Sequence, residues 1–83
     1  MKVGTGIGGW PSRAPAQARA AEETGFDYVT CGELSHDSML TMTLAATSTD
    51  RIGLQTSVTI AFPRSPMVLA MEAWDIQELS GGR

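Results

Sequence analysis

Gln55–Arg83, reading QTSVTIAFPRSPMVLAMEAWDIQELSGGR, sets a β-strand, a proline-bounded turn and a helix end to end. The helix is the best punctuated in the chain. Ser65 stands at the N-cap, Pro66 at the first helical position, where its missing N–H costs nothing, and Gly81 and Gly82 lie just past the end. Glu72, Asp75 and Glu78 form one narrow polar stripe, while Met67, Ala70, Met71, Ala73, Trp74 and Ile76 cover the rest. So little polar surface predicts a helix buried on a sheet and against neighbouring helices. The strand before it, expected over Ile52–Ile60, places Ile52, Leu54, Val58 and Ile60 on alternate positions. The sequence ends where a further strand is expected, so it reads as the first part of a larger α/β protein.

The same order of elements extends back towards the N-terminus. MLTMTLAATS (39–48) predicts a second helix, capped by Asp37 or Ser38, after the polar segment Gly32–Ser38. FDYVTC (Phe26–Cys31), aromatic and β-branched, predicts strand two. Before it lies an alanine-rich helix, with Ser12 as the expected cap and Pro15 in the first turn, ending near Thr24 because Gly25 supplies a left-handed stop. Lys2–Ile7 predicts strand one, followed by the loop Gly8-Gly9-Trp10-Pro11. Strands recurring about every 25 residues, with a helix between each pair, predict parallel βαβ crossovers. Successive crossovers of one hand put every helix on one side of the sheet, and a barrel hides the bare face by curling it inward. A doubly wound open sheet is the alternative.

Composition narrows the function. Eighty-three residues make at most one small domain, and a core of that size supplies only about 3 to 5 kcal/mol. The single cysteine forms no internal disulfide, and no Cys/His spacing suggests zinc, so a cytoplasmic location is expected. Six basic and nine acidic residues give a net charge of −3. The basic residues are scattered, which argues against nucleic acid. No apolar run approaches the roughly 20 residues of a membrane span, and no secretory signal is visible.

Several residues carry candidate chemistry. Gly4, Gly6 and Gly9 match the spacing of the dinucleotide fingerprint, but too little strand precedes them and Trp10-Pro11 separates them from the helix. They are read instead as permitting close backbone approach at a strand end. Glu33, His36 and Asp37, in GELSHDS, fall beyond the C-terminal end of strand two, the catalytic face of a barrel, where a carboxylate and an imidazole suit acid–base work or cofactor orientation. A helix cap and a solvated loop histidine are the plainer readings of Asp37 and His36. Cys31 reads as a small apolar filler. Thr56, Ser57 and Thr59 offer hydroxyls to a ligand or to the backbone, and Arg64, between Pro63 and Pro66, reads as a surface arginine, with a phosphate contact or a carboxylate pair as the alternatives.

Taken together, ETGFDYV, GEL, QTSVTIAFPRSPMVLA and WDIQELSGGR resemble the luciferase-like flavin and deazaflavin oxidoreductases. The resemblance implies a TIM-type (β/α)8 barrel of which residues 1–83 supply the first three βα units, an N-terminal fragment of one domain. It implies hydride transfer at the C-terminal ends of the strands. HDSM and AFPRSP lean towards the branch using 8-hydroxy-5-deazaflavin (coenzyme factor 420), with FMN as the alternative cofactor, as in the monooxygenases of the same fold. Ser57 and Val58 match a strand-three bulge where relatives carry a non-prolyl cis peptide backing the flavin ring. Ile60 and Ala61 match backbone positions that contact the cofactor. Glu33 matches the acidic member of an acid–histidine pair. Leu34 stands where those relatives carry the catalytic histidine, which leaves His36, two residues on, as the imidazole available. The implied partners are the cofactor and a small-molecule substrate, with self-association left open. The isolated chain is expected to be inactive, and the competing reading is a stand-alone α/β module that pairs through its open sheet edges without catalysis.

Overall fold

The computed structural model describes residues 1–33, 35–60 and 64–83. Its elements run β1 (Gly4–Gly6), a 3-10 turn (Pro11–Arg13), α1 (Ala14–Thr24), β2 (Tyr28–Cys31), α2 (Ser38–Ser48), β3 (Gly53–Thr56) and α3 (Pro66–Ser80). The strands form one parallel sheet in the order β1-β2-β3, with Gly4 opposite Tyr28 and Tyr28 opposite Gly53. This is the α/β alternation expected from the sequence. Among the described residues no helix is long and apolar enough to cross a membrane.

The core lies between the sheet and the helices. Val29 and Cys31 of β2 turn towards Ala18 and Ala21 of α1 and Met42 and Ala45 of α2, with Ile7 and Ile52 completing the cluster. The alanines of α1 let α2 approach closely. Helix α2 is buried at Ser38, Met39, Thr41, Met42, Ala45 and Ala46, a wide face that fits a helix packed on the sheet with α1 on one flank and α3 on the other. On the opposite face of the sheet, the Tyr28 ring crosses Gly4 so closely that a Cβ there would sit 2.1 Å from it. Of the three glycines read as permitting close approach, Gly4 shows it, whereas a Cβ at Gly6 or Gly9 would meet no atom within 4 Å.

Helix punctuation follows the sequence at most ends. Asp37 caps α2 by accepting the Leu40 N–H, and Ser65 caps α3 by accepting the Val68 N–H. Gly25 and Gly81 end α1 and α3 at φ 102° and 69°. Ser12 is the exception, because it lies inside the 3-10 turn and α1 begins after it without a side-chain cap. Regular β3 pairing stops at Thr56 rather than Ile60, since its partner β2 ends at Cys31. One further ladder bond, Ser57 N–H to the Cys31 carbonyl at 2.9 Å, follows.

The burial expected of α3 is not met. Ser80 is its one buried residue, and Met67, Met71 and Trp74 are 69%, 52% and 75% exposed. The helix rests on α2 at the end of the helical row, which covers only a stripe of half-buried Leu69, Glu72 and Ile76. Glu72, read from sequence as part of the polar face, belongs to that packed stripe.

The connection from α2 into β3 is held by one anion and one cation. Buried Glu22 accepts the N–H groups of Asp50, Arg51 and Ile52 at 3.0, 2.8 and 3.0 Å. Arg83 donates to the carbonyls of Ala46, Thr49 and Ile52, each at 3.0 Å. Backbone groups that a helix end leaves without intrahelical partners are thereby satisfied, giving the SGGR ending a structural reason.

Candidate active site at the C-terminal ends of the strands

The loops after β1 and β2 border an open cavity of about 400 Å³ whose lining includes Ile7, Gly8, Gly9, Gly32, His36 and Thr41. A Cβ added to Gly8 or Gly9 would meet no atom within 4 Å, so this wall is bare backbone facing open space. Gln17 of α1 fixes the loop by accepting the Gly8 N–H at 3.1 Å. His36 reaches the cavity from the β2–α2 loop and leans on Trp10 from the β1–α1 loop, their rings 4.8 Å apart and tilted by 46°. The cavity is therefore bounded by two loops joined through an aromatic pair. Cys31 also lines it. Burial pushes the thiol pKa up, which keeps it protonated and suits its place in the core.

The segment from Ser57 to Ile60 lies beside this cavity. Gly32 separates the two, and a Cβ there would come within 3.0 Å of the Ser57 carbonyl oxygen. The Ser57-Val58 peptide is cis, the geometry implied by the family resemblance. Val58 and Ile60 are 72% and 48% exposed. Ala61, the fourth expected cofactor contact, and Leu34 lie outside the described residues.

Glu33 stands behind the cavity. Its Oε1 accepts from Ile60 N–H at 2.6 Å and from Arg64 Nη1 at 2.8 Å, and its Oε2 from Ser38 N–H at 2.8 Å and from Arg64 Nη2 at 2.5 Å. Arg64 Nη1 also donates to the Ile60 carbonyl at 2.6 Å, and Nη2 lies 3.0 Å from Asp37 Oδ2. Thr59 and Ser38 hydroxyls meet at 2.9 Å. The Arg64 guanidinium holds the Glu33 carboxyl well below the usual carboxylate range, helped by the Ser38 and Ile60 N–H groups and opposed by burial. Glu33 reciprocally raises the Arg64 pKa. Arg64 is thus not the surface residue expected from sequence, its side chain being only 15% exposed. Nothing local marked it, because Glu33 and Asp37 reach it from a distant part of the chain and Glu72 from the helix that follows.

A family profile described as luciferase-like monooxygenase matches residues 3–83. The protein Rv1360 of Mycobacterium tuberculosis, described as uncharacterized, is 41% identical over 83 residues, covering 100% of this chain and 24% of the relative. The protein Mb1395 of Mycobacterium bovis, also described as uncharacterized, matches to the same extent. The protein Rv3520c of Mycobacterium tuberculosis, described as a putative coenzyme F420-dependent oxidoreductase, is 36% identical over 88 residues, covering 100% of this chain and 25% of its own. The chain spans about a quarter of the length of the curated relatives it matches. With its parallel α/β order and a profile match across nearly all its residues, the chain belongs to the luciferase-like monooxygenase family.

Proposed function

We propose that residues 1–83 are the N-terminal part of a TIM-type barrel oxidoreductase that transfers hydride between 8-hydroxy-5-deazaflavin and a small-molecule substrate. The observation that carries this reading is a glycine-walled cavity bearing His36 at the C-terminal strand ends, with Gly32 of its wall packed against the Ser57 carbonyl. Strand C-termini are where barrel enzymes keep their catalytic groups. The kinship with a putative coenzyme F420-dependent oxidoreductase favours the deazaflavin over FMN.

The residues present fit such a cofactor. A cavity of about 400 Å³ is within the usual range for small-molecule sites, and bare glycine backbone lets a flat ring approach. When bound, the deazaflavin supplies a carbon that accepts or gives hydride. Ser57, Val58 and Ile60 form the backbone wall behind it, and the role implied for Ala61 rests on the family resemblance alone. Trp10 orients His36 through the contact of their rings. His36 gives or takes the proton that accompanies hydride transfer, through an imidazole nitrogen at the cavity edge.

The test is turnover by a polypeptide of the relatives' length carrying residues 1–83, supplied with each cofactor. His36→Ala is expected to lower kcat by about 10²-fold or more, the usual scale for a lost proton-transfer group, with cofactor affinity little changed. The 83-residue chain alone is expected to turn over nothing, because α3 leaves Met67, Met71 and Trp74 uncovered and the sheet stays open at both edges. Wild-type rates after His36→Ala, or turnover by the short chain, would refute these assignments.

A further inference from the structure

We infer that Glu33 and Arg64 are positioning residues, a clamp that holds the Ser57–Ile60 backbone against the end of β2 in its binding form, and that Glu33 takes no part in proton transfer. The inference rests on the oxidoreductase reading for the identity of the ligand. The geometry of the clamp stands apart from it.

Ile60 is gripped from both sides of its backbone. Its N–H goes to Glu33 at 2.6 Å, and its carbonyl receives Arg64 at 2.6 Å. The two gripping side chains are themselves joined through both carboxylate oxygens, the two-pronged arrangement in which arginine holds a carboxylate most firmly. Glu33 also accepts the first N–H of α2, at Ser38, so one carboxylate links α2 to the segment after β3. The Ser38–Thr59 hydroxyl contact adds a second tie between the same two regions. With an 8% exposed side chain and both oxygens occupied by N–H donors, Glu33 has no oxygen free to exchange a proton with a ligand in the cavity. It touches the reacting region only through Ile60 and Ser38.

The experiment uses the polypeptide of the relatives' length, with Glu33→Gln, Arg64→Met, Arg64→Lys and the Glu33→Gln/Arg64→Met pair. Amide hydrogen exchange at Ile60 reads the clamp without any ligand, and binding of 8-hydroxy-5-deazaflavin reads its consequence. Arg64→Met is expected to speed exchange at Ile60 and weaken binding, each by about tenfold or more, the size of one lost charged hydrogen bond. Arg64→Lys, which restores charge without the two-pronged geometry, recovers part of both. The double variant is no worse than the worse single one, because the two side chains act as one unit. Glu33→Gln weakens binding while the kcat–pH profile keeps both limbs. Loss of a limb in Glu33→Gln with wild-type affinity would make Glu33 a proton-transfer group and end the proposal. Unchanged exchange at Ile60 in both Arg64 variants would end it as well. A wild-type polypeptide that binds neither 8-hydroxy-5-deazaflavin nor FMN overturns the oxidoreductase reading, and exchange at Ile60 still decides the clamp.

Discussion

Each end of the sheet is closed by a glutamate that accepts backbone N–H groups, and the two differ in what else they hold. Glu22, before β3, takes the N–H groups of Asp50, Arg51 and Ile52 and ties α1 to the entry of that strand. Glu33, beyond β2, takes two N–H groups and a guanidinium that reaches on to Asp37 and Ile60. The first carboxylate is satisfied almost wholly by fixed backbone. The second depends on the side chain of Arg64, and the backbone it holds lies beside the cavity. The first lies at the N-terminal end of the strands and the second at their C-terminal end, and the same residue type holds backbone at each according to its donors.

The sharpest way to break the comparison is to remove Glu22. Glu22→Ala removes the acceptor of three backbone N–H groups, of which that of Ile52 is buried while Asp50 and Arg51 are exposed, and a buried unpaired donor costs about 1 to 3 kcal/mol. A loss of about 1 to 3 kcal/mol is expected in urea unfolding of the relatives' length polypeptide, with exchange at Ile60 changing only as much as global stability does. A selective effect at Ile60 would show that the two ends are coupled rather than separate.

Acid distinguishes the two ends next. Both carboxyls are held below their ordinary value of 4.5, Glu22 chiefly by the Arg51 N–H and Glu33 chiefly by Arg64. Each therefore binds its proton more weakly in the folded chain than in the unfolded one. Their stabilisation is full above about pH 4.5 and is lost as pH falls towards the depressed folded values. Unfolding followed against pH should show stability falling below that point. Glu22→Gln and Glu33→Gln should each flatten part of the slope, and only Glu33→Gln should remove the acid sensitivity of exchange at Ile60. An unaltered slope in both variants would mean that neither carboxylate is linked to folding.

What the sequence disclosed follows the range of the interactions involved. Helix ends written by Asp37, Ser65, Gly25 and Gly81 were legible because capping is local, and the parallel crossovers followed from the alternation of elements. The close approach at Gly4 was legible as a glycine at a strand end, although its partner Tyr28 was not. Arg64 was misread because three carboxylates meet it from positions 33, 37 and 72, and no local pattern encodes such a convergence. The polar stripe on α3 was misread at Glu72 for the same reason, since Arg64 Nε lies 3.8 Å from it. His36 was found through its position after β2, but its contact with Trp10 joins two loops and had no mark in the sequence.

The smallest expected effect gives the finest test of the clamp. Asp37 both caps α2 and meets Arg64, so replacing it by alanine would confound two roles. Asp37→Asn keeps a cap of nearly equal quality and removes the charge that faces Arg64 at 3.0 Å. The Asp37 side chain is 38% exposed, against 8% for Glu33, and exposed ion pairs contribute about 0 to 1 kcal/mol. Asp37→Asn should therefore shift the unfolding midpoint slightly and leave exchange at Ile60 near the wild-type rate. If it loosens Ile60 as much as Arg64→Met does, the hold on the segment is shared among the carboxylates around Arg64, and the contrast between Glu22 and Glu33 becomes one between a single acceptor and a network.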